Sequence, residues 1–133
     1  MKKILIDTNA YSSYLLGNEN MLNILSNANI VYMSVIVLAE LYYGFKGGNK
    51  ESWNKELLLN FIDKPTVNII DVTIETSEIF AEIKNYLKSA GNPIPINDVW
   101  IAAHSIETGS VLITNDDHFK KIHGIRFQNY LNK

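Results

Sequence analysis

Residues 3–11 read KILIDTNAY, and the reading of this stretch decides the fold. Ile4, Leu5 and Ile6 form a short apolar run that polar residues end at once. Such a run fits a strand buried on both faces, as in a parallel sheet covered by helices. Asp7 stands at its C-terminal end, followed by Thr8 and Asn9. In open α/β sheets ligands bind just beyond the carboxyl ends of the strands, so a carboxylate here is placed for chemistry. It is also placed to cap a following helix. The choice between the two turns on whether other acids converge on the same spot.

Outward from this stretch, short apolar runs alternate with helical patterns. The spacing predicts helices over residues 10–16, 19–28, 35–45, 51–62, 73–90 and 97–108. It predicts further strands over residues 30–33, 67–70, 111–113 and 125–127, with one helical turn over 116–121. Gly17, Gly47, Gly48, Gly91 and Gly109 punctuate the helix ends, Pro65 breaks the pattern after 51–62, and Ser34 is placed as an N-cap. Trp53, Leu57 and Phe61 mark one apolar face, and Ile79, Phe80, Ile83, Leu87 and Ala90 another. The alternation predicts a three-layer α/β domain, a short-stranded parallel sheet flanked by helices. Residues 1–133 carry no internal repeat, low-complexity tract or linker and read as a single domain.

The composition narrows the function classes. A hydrophobic content of 47% fits a folded globular domain and argues against disorder. The absence of cysteine removes disulfides and thiolate metal sites. No apolar segment is long enough to span a membrane, and the three-residue run after Lys2 and Lys3 is too short for a secretion signal, so a cytoplasmic location is expected. The net charge of −2 does not by itself point to nucleic acid. Setting aside four of the fourteen acidic residues, however, leaves ten against twelve lysines and arginines. Residues 118–133 carry Lys120, Lys121, Arg126 and Lys133 and no acid. A basic rim near an acidic centre suits a phosphate backbone approaching a metal ion, and an ordinary solvated tail has the same composition.

Four acids are candidates to meet Asp7's neighbourhood or form it. Glu40 lies in VIVLAELYYG, and its helical neighbours Ile36, Val37, Tyr43 and Gly44 give it a largely apolar face with no Lys or Arg within a turn. A buried carboxylate is costly unless it is paired, protonated or bound to a cation. Asp98 opens the helix VWIAAHSIETG, where an acid also favours the helix dipole; Ile101 and Ala102 on the same face make that face look inward. Asp116 follows the run VLI through Thr114 and Asn115, matching the position of Asp7, while the adjacent Asp117 is available for capping. By contrast, Asp71, Glu75, Glu78 and Glu82 recur along one helix as a solvated stripe. His104 reads as a packing histidine, and His118 and His123 belong to the basic end. There is no HExxH, glycine-rich phosphate loop or nucleophile elbow.

Taken together, ILIDTNAY, SVIVLAELYYG, PIPINDVWIAAHSIETG and VLITNDDHFKKIHGIR occur in this order over nearly the whole chain. In that order they resemble the PIN-domain ribonucleases, and most closely the VapC-type toxins of type II toxin–antitoxin pairs. The resemblance implies a PIN-like fold and a metal-dependent endoribonuclease. It carries the family's acidic cluster onto Asp7, Glu40, Asp98 and Asp116, with Thr114 as an accessory residue and Thr8, Asn9 and Asn115 at its polar positions. Residues 51–64 show little of the family's pattern, so substrate and partner choice are not carried over.

The implied chemistry is that Asp7, Glu40 and Asp98 hold or orient one Mg²⁺ or Mn²⁺, with Asp116 completing the set or placing a second ion. Such an ion polarises the scissile phosphate and activates a water, leaving a 5′-phosphate and a 3′-hydroxyl on the RNA. The implied partners are RNA, a cognate antitoxin whose tail covers the acidic pocket, and a second copy of the chain in a homodimer. Tyr11, Tyr14, Leu15 and Tyr42 are candidates for those surfaces, and core packing is the other use of such residues. Two alternatives stand beside this reading: another Mg-dependent phosphohydrolase or phosphoacceptor domain, and an idle PIN-like binding module. The first draws its acids mainly from strand ends, so Glu40 on a helix separates it. The second is expected to have lost one or more acids, and all four are present.

Overall fold

β1 (Lys3–Ile6) forms where the opening apolar run predicts it, and Ile4, Leu5 and Ile6 are wholly buried. Alternate residues of a strand face opposite sides of a sheet, so burial of all three means that both faces are covered. The structure, a computed structural model, describes residues 1–131. In chain order the other strands are β2 (Ile30–Ser34), β3 (Val67–Ile70), β4 (Val111–Thr114) and β5 (Phe127–Asn129). Among the described residues they form one parallel sheet in the order β3-β2-β1-β4-β5. The register sets Leu5 between Tyr32 and Leu112.

The helices are α1 (Thr8–Leu15), α2 (Glu19–Ser26), α3 (Val35–Lys46), α4 (Glu51–Ile62), α5 (Ile74–Ala90) and α6 (Ile96–Thr108). This is the three-layer α/β arrangement that the alternation predicts. Local chemistry sets most of their ends. Asp7 caps α1, its carboxylate accepting from the Ala10 N–H at 2.9 Å. Ser34 ends β2 and caps α3 with no loop between them, its hydroxyl accepting from the Ile36 N–H. Thr73 and Thr76 form a capping box on α5. Gly109 ends α6 at a φ of +66°, a left-handed turn that a side chain would strain. Between α5 and α6 the rings of Phe80 and Trp100 stack with centroids 3.9 Å apart.

The topology creates the crevice. From β1 the chain moves to β2 and β3 on one side, then returns across the sheet to β4 and β5 on the other. The reversal lies between β1 and β4, which is where ligands enter open parallel sheets. Asp7 directly follows β1, and Asp116 lies two residues beyond β4.

Some expectations change. The last strand runs over Phe127–Asn129 and not 125–127, because pairing starts where the Arg126 carbonyl accepts the Leu112 N–H. It then continues through polar Gln128 and Asn129, as an edge strand can. On α4 the buried residues are Leu58 and Phe61, and Trp53 is 62% exposed. Steps of four residues drift around a helix, so Trp53 stands roughly 80° away from Phe61. Ala90, at the last position of α5, is exposed and not part of an inner stripe. Tyr11 is core, packed edge-on against Phe61, and offers no surface. Lys133 lies outside the described residues.

Leu112, wholly buried at the centre of β4, should lose about 2–5 kcal/mol of stability on Leu112→Ala. Trp53→Ala should stay within about 0.5 kcal/mol. Urea unfolding of the two variants measures both, and an equal cost at the two sites would contradict the packing described.

Candidate active site at the β1–β4 crevice

The four acids nominated from the sequence line one cavity of about 380 Å³ at the C-terminal edge of the sheet. Asp7 and Asp116 come from the ends of β1 and β4, Glu40 from α3, and Asp98 from the first turn of α6. Thr8, Asn9 and Asn97 share the lining, and Ile101 and Phe119 supply part of the apolar wall.

Asp7 sits deepest, with 8% of its surface exposed. Burial, with the negative charges of Asp98 and Glu40 adding to it, pushes its carboxyl up to about 6. The Thr114 hydroxyl and the Ala10 N–H oppose that shift by stabilising the charged form. Thr114 is itself wholly buried, and its oxygen accepts from the Asp116 N–H at 3.1 Å, so it links the two strand-end acids. Asp7 thus caps a helix and at the same time faces the cavity.

Glu40 is half-buried, less than its apolar neighbours suggest, because the cavity opens beside it. The Thr8 hydroxyl donates to its Oε1 at 2.6 Å, and Asn97 donates weakly to Oε2 at 3.5 Å. These bonds tie α3 to the start of α1 and to the first turn of α6. Glu40 is thus on the same side of the molecule as Asp7 and Asp98.

Asp98 is also pushed up, first by burial and then by Glu40 and Asp116, while His118 pulls it back. His118 is the residue that the sequence reading placed wrongly. It is not a free member of the basic end: Nδ1 lies 2.9 Å from Asp116 Oδ2, and Nε2 lies 2.9 Å from Asp98 Oδ2. The Nε2 contact is a close approach without the alignment of a hydrogen bond. Asp116 caps the 3₁₀ turn Asp117–Lys121, a task the sequence left open to Asp117. Asp117 instead accepts from Asn129, and that turn is what brings the His118 ring back over Asp116. The signal was present as a histidine two residues after the acid, but only the turn geometry makes it a contact.

Thr8 and Asn97 were likewise underrated; each is a polar neighbour of a nominated acid in the sequence. Asn9 lines the cavity and donates to Asn115. His104 is the packing histidine expected, buried and bonded to Ser34 and the Asp71 carbonyl. Glu75, Glu78 and Glu82 are exposed on α5, as a solvated stripe should be, whereas Asp71, also exposed, lies before that helix. Of the basic end, Lys120 and Lys121 are exposed, whereas Arg126 is turned to the Gly109 carbonyl.

The donor set is all oxygen, four carboxylates with two hydroxyls beside them, and suits a hard divalent cation. Among the described residues no lysine or arginine pairs with any of the four. Nor, among those residues, do any three Asp, Glu or His side chains form a ready-made shell for an ion. The acids face a common space but stand apart within it.

Comparison with known proteins adds the lineage. The family model of the PIN domain matches residues 4–125. Ribonuclease VapC2 of Rickettsia felis is 33% identical over 112 residues, covering 84% of this chain and 82% of that protein. Ribonuclease VapC2 of Haemophilus influenzae is 32% identical over 136 residues, covering 98% of this chain and 100% of the relative. Among solved structures, VapBC2 from Rickettsia felis bound to a DNA fragment from their promoter aligns with a TM-score of 0.85 at 29% identity. That alignment covers 96% of this chain and 98% of the other.

A carboxyl raised from 3.8 to about 6 favours the uncharged, folded form at low pH. That contribution is complete below about pH 4 and is lost as pH rises through about 6. In chelator, Asp7→Asn, which keeps an N-cap acceptor, should therefore gain on the parent by about 1 kcal/mol between pH 5 and pH 8. Urea unfolding at the two pH values reads this directly; a gap that does not change with pH would show that Asp7 carries no such strain.

Proposed function

The chain belongs to the PIN-domain family, and on that premise we propose that it is a metal-dependent endoribonuclease, the toxin of a toxin–antitoxin pair. One observation carries the reading. Asp7, Glu40, Asp98 and Asp116, distant in the chain, line a single cavity at the strand ends. Its relatives of similar length are named ribonucleases, and the VapBC2 structure supports a cognate antitoxin as partner.

Asp7, Glu40 and Asp98 are the residues to hold Mg²⁺ or Mn²⁺, with Asp116 as the fourth acid. When bound, the ion supplies Lewis-acid polarisation of the scissile phosphate and lowers the pKa of a coordinated water. The protein's own part is to present the charges in fixed places. Thr114 and the Ala10 N–H hold the Asp7 carboxylate, and Thr8 with Asn97 holds Glu40. Ile101 and Phe119 give the cavity an apolar wall, which strengthens charge interactions at the phosphate. Water adds across the P–O3′ bond, leaving a 5′-phosphate on one fragment and a 3′-hydroxyl on the other.

The antitoxin and a second copy of the chain need apolar surface. Leu16, Tyr43, Trp53 and Leu59 are well exposed on or beside α1, α3 and α4 and supply it, whereas Tyr11 does not. Among the described residues no helix is long and apolar enough to cross a membrane. We place the protein in the cytoplasm, with its RNA substrate, and treat residues 1–133 as one PIN domain.

Purified Asp7→Asn and Asp98→Asn should each abolish Mn²⁺- or Mg²⁺-dependent RNA cleavage while keeping the parental circular dichroism spectrum. Thr8→Val, which removes the hydroxyl that orients Glu40, should lower cleavage by about 10–100-fold. Chelator should stop the parent, and added Mn²⁺ should restore it. Full cleavage by both acid variants, in nuclease-free preparations, would refute the assignment.

A further inference from the structure

His118 is held unlike the other polar groups in the cavity. Asp116 is committed to it twice, since Oδ1 accepts from the His118 backbone N–H at 2.9 Å and Oδ2 meets ring Nδ1 at 2.9 Å. The other edge of the ring lies against Asp98 Oδ2. The imidazole therefore occupies the space that an ion shared by Asp98 and Asp116 needs. A ring and a hydrated cation cannot both stand against those two oxygens.

We infer that His118 is a positioning residue that keeps Asp116 out of the ion's shell, so that Asp7, Glu40 and Asp98 bind first and Asp116 joins only when the ring withdraws. Two further observations support displacement over a permanent bridge. Nε2 is buried without an aligned hydrogen-bond partner, so the ring is imperfectly satisfied where it sits. Asp116 keeps 47% of its side chain exposed, against 23% for Asp98, and has open space in which to turn. While the ring is in place the ion lacks its fourth carboxylate, and the apparent ion affinity is lower than in a chain whose Asp116 is free to join.

This inference rests on the ion-binding reading above, and the test separates the two. Mn²⁺ alone is titrated into the full chain without RNA, and free ion is followed by electron paramagnetic resonance at one fixed pH. His118→Ala, and His118→Asn with a side chain too short to span both carboxylates, should bind Mn²⁺ about 10-fold more tightly than the parent. Adding Asp116→Asn should return both to the parental affinity, whereas Asp116→Asn alone should change the parent by less than about 2-fold. With Mg²⁺, the ring resonances of His118 in the parent should shift without the signature of direct coordination. Unchanged or weaker Mn²⁺ binding in both His118 variants would overturn the inference, weaker binding marking His118 as a ligand. An equal effect of Asp116→Asn in every background would overturn it too. If Asp7→Asn leaves Mn²⁺ affinity intact, the ion is not in this cavity and both readings fall. If Asp7→Asn abolishes binding and the His118 variants do not tighten it, only the role of His118 falls.

Discussion

The burial of Asp7 is the constraint around which the cavity is built. Ile4, Leu5 and Ile6 are fixed in the middle of the sheet, so the next residue has no freedom to reach solvent. A carboxylate in that position loses hydration that its surroundings must replace. A helix N-terminus and the Thr114 hydroxyl replace part of it. The raised carboxyl shows that they do not replace all of it, and the two neighbouring acids enlarge the deficit. Missing positive charge is therefore a property of the folded chain, present before any ligand is considered.

That deficit survives only because the elements carrying the acids are tied together elsewhere. His104 does much of this. Its Nε2 meets the Asp71 carbonyl, which only accepts, so Nε2 carries the proton and Nδ1 accepts from the Ser34 hydroxyl. Burial lowers its pKa and keeps that neutral form in place. Ser34 in turn caps α3 through the Ile36 N–H. One imidazole thus joins α6, which bears Asp98, to the first turn of the helix that bears Glu40, and to the end of β3. The Phe80–Trp100 stack, one turn before His104 on α6, clamps that helix against α5. Repulsion among the carboxylates is borne by contacts that lie outside the cavity.

Periodicity and turn chemistry were enough to read the strands and the helices, because each signal is local, whereas the gathering of four distant acids at one place was implied only by the family resemblance. A short run such as 111–113, bounded by Gly109 and polar residues, reads as a buried strand, and Ser34 before an apolar helix reads as a cap. What stayed hidden depended on rotation or on a turn. Trp53 reads as inward from its spacing, but successive four-residue steps drift around α4 and carry it to solvent. Tyr11 stays undecided between surface and core in the sequence, because nothing in its neighbourhood names Phe61, fifty residues away, as its packing partner. His118 looked like part of a basic tail because its contacts come from a single 3₁₀ turn that folds it back over Asp116. β5 was misplaced because an edge strand pairs through its backbone and needs no apolar side chains to announce it.

A site with a standing shortage of positive charge must draw that charge from somewhere, and the sources exclude one another. Within the chain the imidazole of His118 lies nearest, meeting Asp98 and Asp116 but not Asp7 or Glu40. A divalent ion supplies more charge in less space and serves the deeper acids. A cationic side chain from a bound antitoxin would meet the same carboxylates and occupy the same opening. Any species that binds only the folded chain stabilises it according to its concentration over its dissociation constant. On the reading proposed above, ion, ring and partner would compete for carboxylates of the same cavity. On that same reading, a positive group of a partner set against these acids would block the cavity without any distortion of the fold.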